Sequence, residues 1–211
     1  MAGIETITHT VSFILYYLSA NPEAQEKIYN ETLNFNEEIT QEDISKAFYT
    51  RAAIHEAFRL SPTAFAVARI LEEDFYLSDY HLKQGVSFFK TIISDYLSII
   101  FIFPQSVVLC QTMVACNKNE NFDDASEYKP ERWLTETGEF NLNQCVGSSI
   151  TLPFGCGKRI CPGKKYTELE LMILIIKLVR SFKMKYHSEF DRQFEFLLAA
   201  KAPVNIQFCD R

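Results

Sequence analysis

Apolar residues recur at helical spacing in several stretches of this chain. Ile7, Val11, Ile14 and Leu18 stand three or four apart, with aromatic and β-branched residues on the remaining faces. A helix from about Ile4 to Leu18 that is apolar nearly all round belongs inside a large protein. Asn21-Pro22-Glu23 then offers a capping residue, a proline suited to the first helical position and an acid in the first turn. This predicts a polar amphipathic helix running to about Leu33. Thr40-Gln41-Glu42-Asp43 reads as a further start, and that helix should stop near Leu60, because Ser61-Pro62 disfavours continuation. The last stretch runs from Lys164 to about Phe182, with Leu169, Met172, Ile173, Ile176 and Val179 in step and Leu171, Leu174 and Leu178 beside them. It predicts a helix buried on several sides.

Elsewhere the period shortens. Residues Phe65 to Ile70, Phe75 to Tyr80 and Val107 to Met113 read as short strands, with Ser78-Asp79 as turn material. Asn117 to Glu139 is polar and loop-like, turning at Lys129-Pro130, and the tail from Phe194 to Phe208 reads as a terminal hairpin. The expected class is mainly α with small β-sheets.

Composition narrows the function. With 211 residues and 47% hydrophobic content the chain can bury one sizeable core. Its net charge of −6 argues against nucleic acid as a partner. The six cysteines include no Cys-x-x-Cys pair, so a structural zinc site is not expected. They read as thiols of a reducing compartment, one of them a ligand and five bystanders.

The chemistry concentrates in Pro153-Phe154-Gly155-Cys156-Gly157-Lys158-Arg159-Ile160-Cys161-Pro162-Gly163. A glycine-rich turn can hold a thiolate rigidly and let a flat group approach the backbone. Thiolate is the iron ligand that favours O–O cleavage, and Arg159 can pair with a carboxylate. Phe154, Gly155, Gly157, Arg159, Cys161 and Gly163 together resemble the haem-thiolate signature of the cytochrome P450 superfamily. The resemblance implies haem b as cofactor with Cys161 as axial metal ligand, Phe154, Gly155 and Gly163 shaping the loop, and Arg159 on a propionate. Arg69 matches a second propionate contact.

Other motifs fall in the order such a chain requires. Glu56 and Arg59 lie one helical turn apart, and in the family this pair is joined by an arginine of Pro-x-Arg-[Phe/Trp], here Pro130-Glu131-Arg132-Trp133. A buried network of Glu56, Arg59 and Arg132 is implied. Ala2-Gly3-Ile4-Glu5-Thr6 resembles the oxygen-activating part of the family's long central helix, which makes Glu5 and Thr6 the catalytic pair for proton delivery. Thr63 to Ala68, with Leu197 and Leu198, would line the substrate side. Lys164 and Lys165 after the loop, with Arg51 on the Glu56 helix, are similar to the basic contacts by which mitochondrial members receive a ferredoxin. At a second such position the chain has His55, only partly charged at neutral pH.

The resemblance implies the C-terminal, haem-binding part of a P450 fold that begins at the oxygen-activating helix, with the N-terminal part absent and the fragment inactive by itself. The implied activity of the intact protein is monooxygenation of a lipophilic, steroid-like or xenobiotic substrate with dioxygen and ferredoxin-supplied electrons. Its implied place is the matrix side of the mitochondrial inner membrane, in peripheral association. The alternatives are a haem-thiolate isomerase or dehydratase, against which Glu5-Thr6 and the basic residues speak, and a non-functional truncated product. Between Gly85 and Ser106 the resemblance stops. The 20 residues from Val86 to Gln105 read as a translated intron, since Val86-Ser87 can be encoded by a splice-donor sequence, Phe101 to Gln105 by an acceptor, and removal restores a strand in frame; the alternative is a genuine lineage-specific loop.

Overall fold

The apolar stripes decide how the long helices meet. A computed structural model describes residues 2–71, 73–82, 84, 88–91, 98–101, 107–144, 150–187 and 190–211. Helix α1 (Ala2–Ala20), α2 (Pro22–Thr32), α4 (Phe48–Leu60) and α6 (Lys164–Ser181) share one core. Ile14 and Leu18 of α1, Ile28 of α2, Ala57 and Phe58 of α4, and Ile175 and Ile176 of α6 are buried together. A smaller core joins Ala52 of α4 to Cys116, Phe122, Ala125 and Trp133. Helix α4 therefore faces two cores, which is why nine of its residues are buried.

The helix expected from Thr40 to Leu60 is two. Helix α3 (Gln41–Lys46) starts in a capping box, Thr40 Oγ1 accepting from Asp43 N while Asp43 Oδ2 accepts from Thr40 N. The chain then leaves helical geometry at Ala47 (φ −79°, ψ 67°). Helix α4 restarts because the Glu31 carboxylate of α2 accepts the Tyr49 and Thr50 N–H groups at 2.6 and 2.9 Å. A cap that arrives from another helix has no local signature. The end at Leu60 stands as expected.

All sheets among the described residues are antiparallel pairs. Strand β1 (Val67–Ile70) pairs with β6 (Val107–Cys110), after which Thr112–Cys116 forms α5, so Met113 is helical rather than extended. The segment read as one strand from Phe75 is a hairpin, β2 (Phe75–Leu77) with β3 (Tyr80–Leu82). Ser78 at its turn has φ 52°. Within 86–105, β4 (Phe88–Thr91) pairs with β5 (Ser98–Phe101); the rest of that segment lies outside the described residues. The tail forms two pairings instead of one hairpin. Strand β8 (Arg192–Phe194) pairs with β9 (Leu198–Ala200), while β10 (Ile206–Asp210) returns to β7 (Phe182–Tyr186). No helix of the described residues is long and apolar enough to cross a membrane.

Candidate functional site

Glu56 sits on the α4 face toward the smaller core and is fully buried, as is Arg59. Arg59 donates to both Glu56 oxygens at 2.9 and 2.8 Å. It also donates to the carbonyls of Cys116, Ala125 and Glu127, so all five guanidinium donors are engaged. Arg132, in the 3-10 turn Pro130–Trp133, donates Nε to Glu56 at 3.0 Å. The structure thus brings Glu56, Arg59 and Arg132 together. Two further donors to Glu56 escaped the sequence reading: Lys129 N at 3.0 Å and Trp133 Nε1 at 2.8 Å. The second had a signal, because a buried indole N–H needs an acceptor. The network ties α4 to a long irregular stretch that has little regular structure of its own.

Phe154 stacks edge-on against Phe58 of α4 at 5.4 Å and carries the cysteine loop next to that scaffold. Its carbonyl accepts Cys161 N at 2.9 Å, closing the loop on itself. Gly155 and Gly157 have φ of 71° and 68°, where an L side chain costs about 1–2 kcal/mol. Gly163 does not (φ −82°), and a Cβ there would meet Cys161 Sγ at 3.8 Å. The chain's own contacts leave room for that Cβ. The loop from Cys156 to Pro162 is exposed, Cys161 included. The thiol stands at the start of α6, where the helix dipole is positive. Arg159 and Lys158 are exposed on the same loop, and Ile160 is 46% exposed. An accessible thiol on a backbone-locked turn, with an apolar neighbour and a cation beside it, fits a haem held on sulfur. The five described cysteines are free thiols.

Glu5 is exposed and Thr6 half-buried near the start of α1; Thr6 Oγ1 donates to the Gly3 carbonyl at 3.3 Å. One turn further along, Thr10 hydrogen-bonds Thr63 at 2.8 Å. The Thr63 carbonyl accepts Leu198 N at 3.0 Å, which ties the β8–β9 hairpin to the segment after α4. Arg69 stands on β1 opposite Val108, and its side chain lies outside the described residues.

The basic positions differ in kind. Lys165 is exposed, and Lys164 is partly exposed, 3.9 Å from Glu168. Arg51 is half-buried, donates to the Ile44 carbonyl at 3.1 Å and stands over the Phe140 ring. His55 packs edge-on against Trp133 at 4.4 Å, its Nε2 buried without a hydrogen-bond partner. Burial, reinforced by the Lys164 charge, holds its pKa down at about 4. His55 is therefore neutral at pH 7 and brings no charge to this face.

A family model described as Cytochrome P450 matches residues 1–95 and 100–209. Ecdysone 20-monooxygenase of Drosophila melanogaster is 39% identical over 211 residues, all of this chain and 35% of that protein. Probable cytochrome P450 12c1, mitochondrial, of the same organism is 30% identical over all of this chain and 38% of its own length. The mitochondrial 1,25-dihydroxyvitamin D(3) 24-hydroxylase of Mus musculus is 28% identical over 87% of this chain and 31% of itself. The chain spans about a third of the length of these relatives.

Proposed function

The chain belongs to the cytochrome P450 family, whose members hold haem b on a cysteine thiolate, and we propose that it forms the haem-carrying part of a mitochondrial monooxygenase. The substrate class proposed is lipophilic and steroid-like, in keeping with relatives named for ecdysone and for 1,25-dihydroxyvitamin D(3). The single observation that carries the proposal is Cys161, presented outward on a loop locked by its own N–H to the Phe154 carbonyl. Thiolate-ligated haem iron supplies the activation of dioxygen.

The residues of the chain would divide the remaining tasks. Cys161 is the metal ligand, and Phe154, Gly155 and Gly163 shape the surface around it. Arg159 and Arg69 would take the propionates by charge-assisted hydrogen bonds. Glu5 and Thr6 would relay protons, Thr6 from the position where its hydroxyl already bonds the helix backbone. Glu56, Arg59 and Arg132 hold the stretch behind the loop. Lys164 and Lys165 are the proposed ferredoxin contacts, with Arg51 secondary because its guanidinium is engaged elsewhere. Residues 86–105 are proposed to be a retained intron.

The expressed chain, reconstituted with haemin, reduced and treated with carbon monoxide, tests this reading. A red-shifted Soret band of the thiolate type is expected, and Cys161→Ser should abolish it. An unchanged band in Cys161→Ser would overturn the assignment.

A further inference from the structure

Four hydroxyl residues alternate along α1: Thr6, Thr8, Thr10 and Ser12. Such a side chain inside a helix commonly bonds a carbonyl of its own preceding turn. Thr6 bonds Gly3, Thr8 bonds Ile4 at 2.8 Å, and Ser12 bonds Thr8 at 2.9 Å. Thr10 instead reaches across to the Thr63 hydroxyl, 53 residues on, at 2.8 Å. Both threonines are buried, 7% and 6% exposed, so each hydroxyl depends on the other for a partner. Further ties converge on the same stretch. The Thr63 carbonyl accepts Leu198 N of β9 at 3.0 Å, and Leu198 is fully buried. Arg192 of β8 donates to the Leu60 carbonyl at 2.8 Å and to Ser61 Oγ at 3.2 Å. Tyr17, about two turns beyond Thr10 on α1, bonds Ser61 Oγ at 2.7 Å. The Phe65 carbonyl accepts Met113 N at 3.1 Å. Residues 61–65 lie outside any helix or strand and take their position from these neighbours. Of the two ties to α1, Thr10–Thr63 is the nearer to Thr6, which stands one turn away on the same face.

We propose that Thr10 and Thr63 are a positioning pair that sets the turn carrying Thr6 against the segment after α4 and, through Leu198, against the β8–β9 hairpin. This assignment rests on the proton-relay role proposed for Thr6 and on the substrate-side place of Thr63 to Ala68 and Leu198. Valine has nearly the shape of threonine, so filling the space between α1 and residue 63 does not by itself call for two hydroxyls. What the hydroxyls add is direction. A bond of 2.8 Å weakens steeply as its angle opens, whereas apolar contact is non-directional and lets two surfaces slide. The pair therefore makes the place of the hairpin and the place of the Thr6 turn depend on each other. A substrate pressing on residues 63–68 or on Leu198 is felt one turn from Thr6. Thr10 touches neither proton nor substrate in this scheme; it holds in place the groups that do.

Amide hydrogen exchange of the expressed chain tests the coupling without haem. Thr10→Val keeps the shape and removes the bond. It should speed exchange at the Leu198 N–H and in the first turns of α1 by about tenfold, while the buried turns of α6 keep their rates. Thr10→Ser keeps the hydroxyl and should stay near the parent, a rescue that a role in packing alone would not give. Thr63→Val should repeat the effect from the other side and replaces Thr10→Val if that variant fails to fold. The haemin-loaded chain gives a second readout, the affinity for 4-phenylimidazole, an azole that extends beyond the atom it binds to iron. It should fall about threefold or more in Thr10→Val and hold in Thr10→Ser, with cyanide bound alike by all three. Exchange at Leu198 that ignores both valine variants would overturn the proposal. So would altered exchange with an unaltered azole affinity, since the pair would then brace the fold and position nothing. A chain that takes up no haem would fail the reading of Cys161 instead, and exchange with its serine rescue would still decide the pair.

Discussion

Glu56 and Cys161 are built in opposite ways. Glu56 is fully buried and accepts five hydrogen bonds, two from Arg59 and one each from Lys129 N, Arg132 and Trp133. A carboxylate taken out of water demands such a shell. Cys161 is exposed, and its loop is held by backbone hydrogen bonds and by two glycines at positive φ. The first centre fixes α4 against its surroundings and asks nothing of any further group. The second presents a free thiol outward. Substitutions at the two positions should therefore have unlike consequences.

The largest effect belongs to Glu56→Ala. It leaves two guanidinium groups near each other with their counter-charge gone, one of them fully buried. Removing one member of a buried ion network costs about 3–5 kcal/mol, a large part of the roughly 5–15 kcal/mol that holds a domain together. Urea unfolding followed by circular dichroism should show this loss or an unfolded chain. A loss under about 1 kcal/mol would mean that the network is ornamental and would break the comparison at its first term.

His55 stands between the two regions, packed on Trp133 beside the network and sensing Lys164 beside the loop. Its folded pKa of about 4 lies below the unfolded value of about 6.5. Between those values the unfolded chain binds the extra proton, so stability present above the unfolded pKa is lost as pH falls toward the folded one. The loss across that window should be at most about 3 kcal/mol. His55→Phe should flatten the dependence of unfolding free energy on pH from 6.5 to 4. An equal slope in both proteins would show that the junction is wet.

Much of this was legible in the sequence, for identifiable reasons. Helices α1 and α6 have long apolar periods and α4 ends at Ser61-Pro62, so their limits fall within a few residues of the pattern. The break at Ala47 was hidden because its cause, Glu31, lies on another helix. The β7–β10 pairing was hidden likewise, since β7 continues straight from α6 and its partner is some 20 residues away. At the site, the spacing of Glu56 and Arg59 is local and visible. The Lys129 N–H that completes the carboxylate's shell is backbone, and no residue type announces it. Of the three loop glycines, Gly155 and Gly157 adopt positive φ and Gly163 does not. Composition alone cannot distinguish a glycine kept for its φ from one kept for clearance.

The smallest expected effect is the sharpest test of the contrast. Cys161→Ser alters one exposed atom on a loop whose fixing bonds run through the backbone. Its own N–H donates to the Phe154 carbonyl whatever the side chain is. No core contact is lost, and a serine hydroxyl at that position remains accessible to water. Urea unfolding of the chain prepared without haem should therefore agree with the parent within about 0.5 kcal/mol. If the substitution cost as much as a buried one, the thiol would be packing the loop, and Cys161 would belong with Glu56 as scaffold. Agreement between the two curves would leave the sulfur with no structural duty, which is the condition a ligand residue should meet before its ligand arrives.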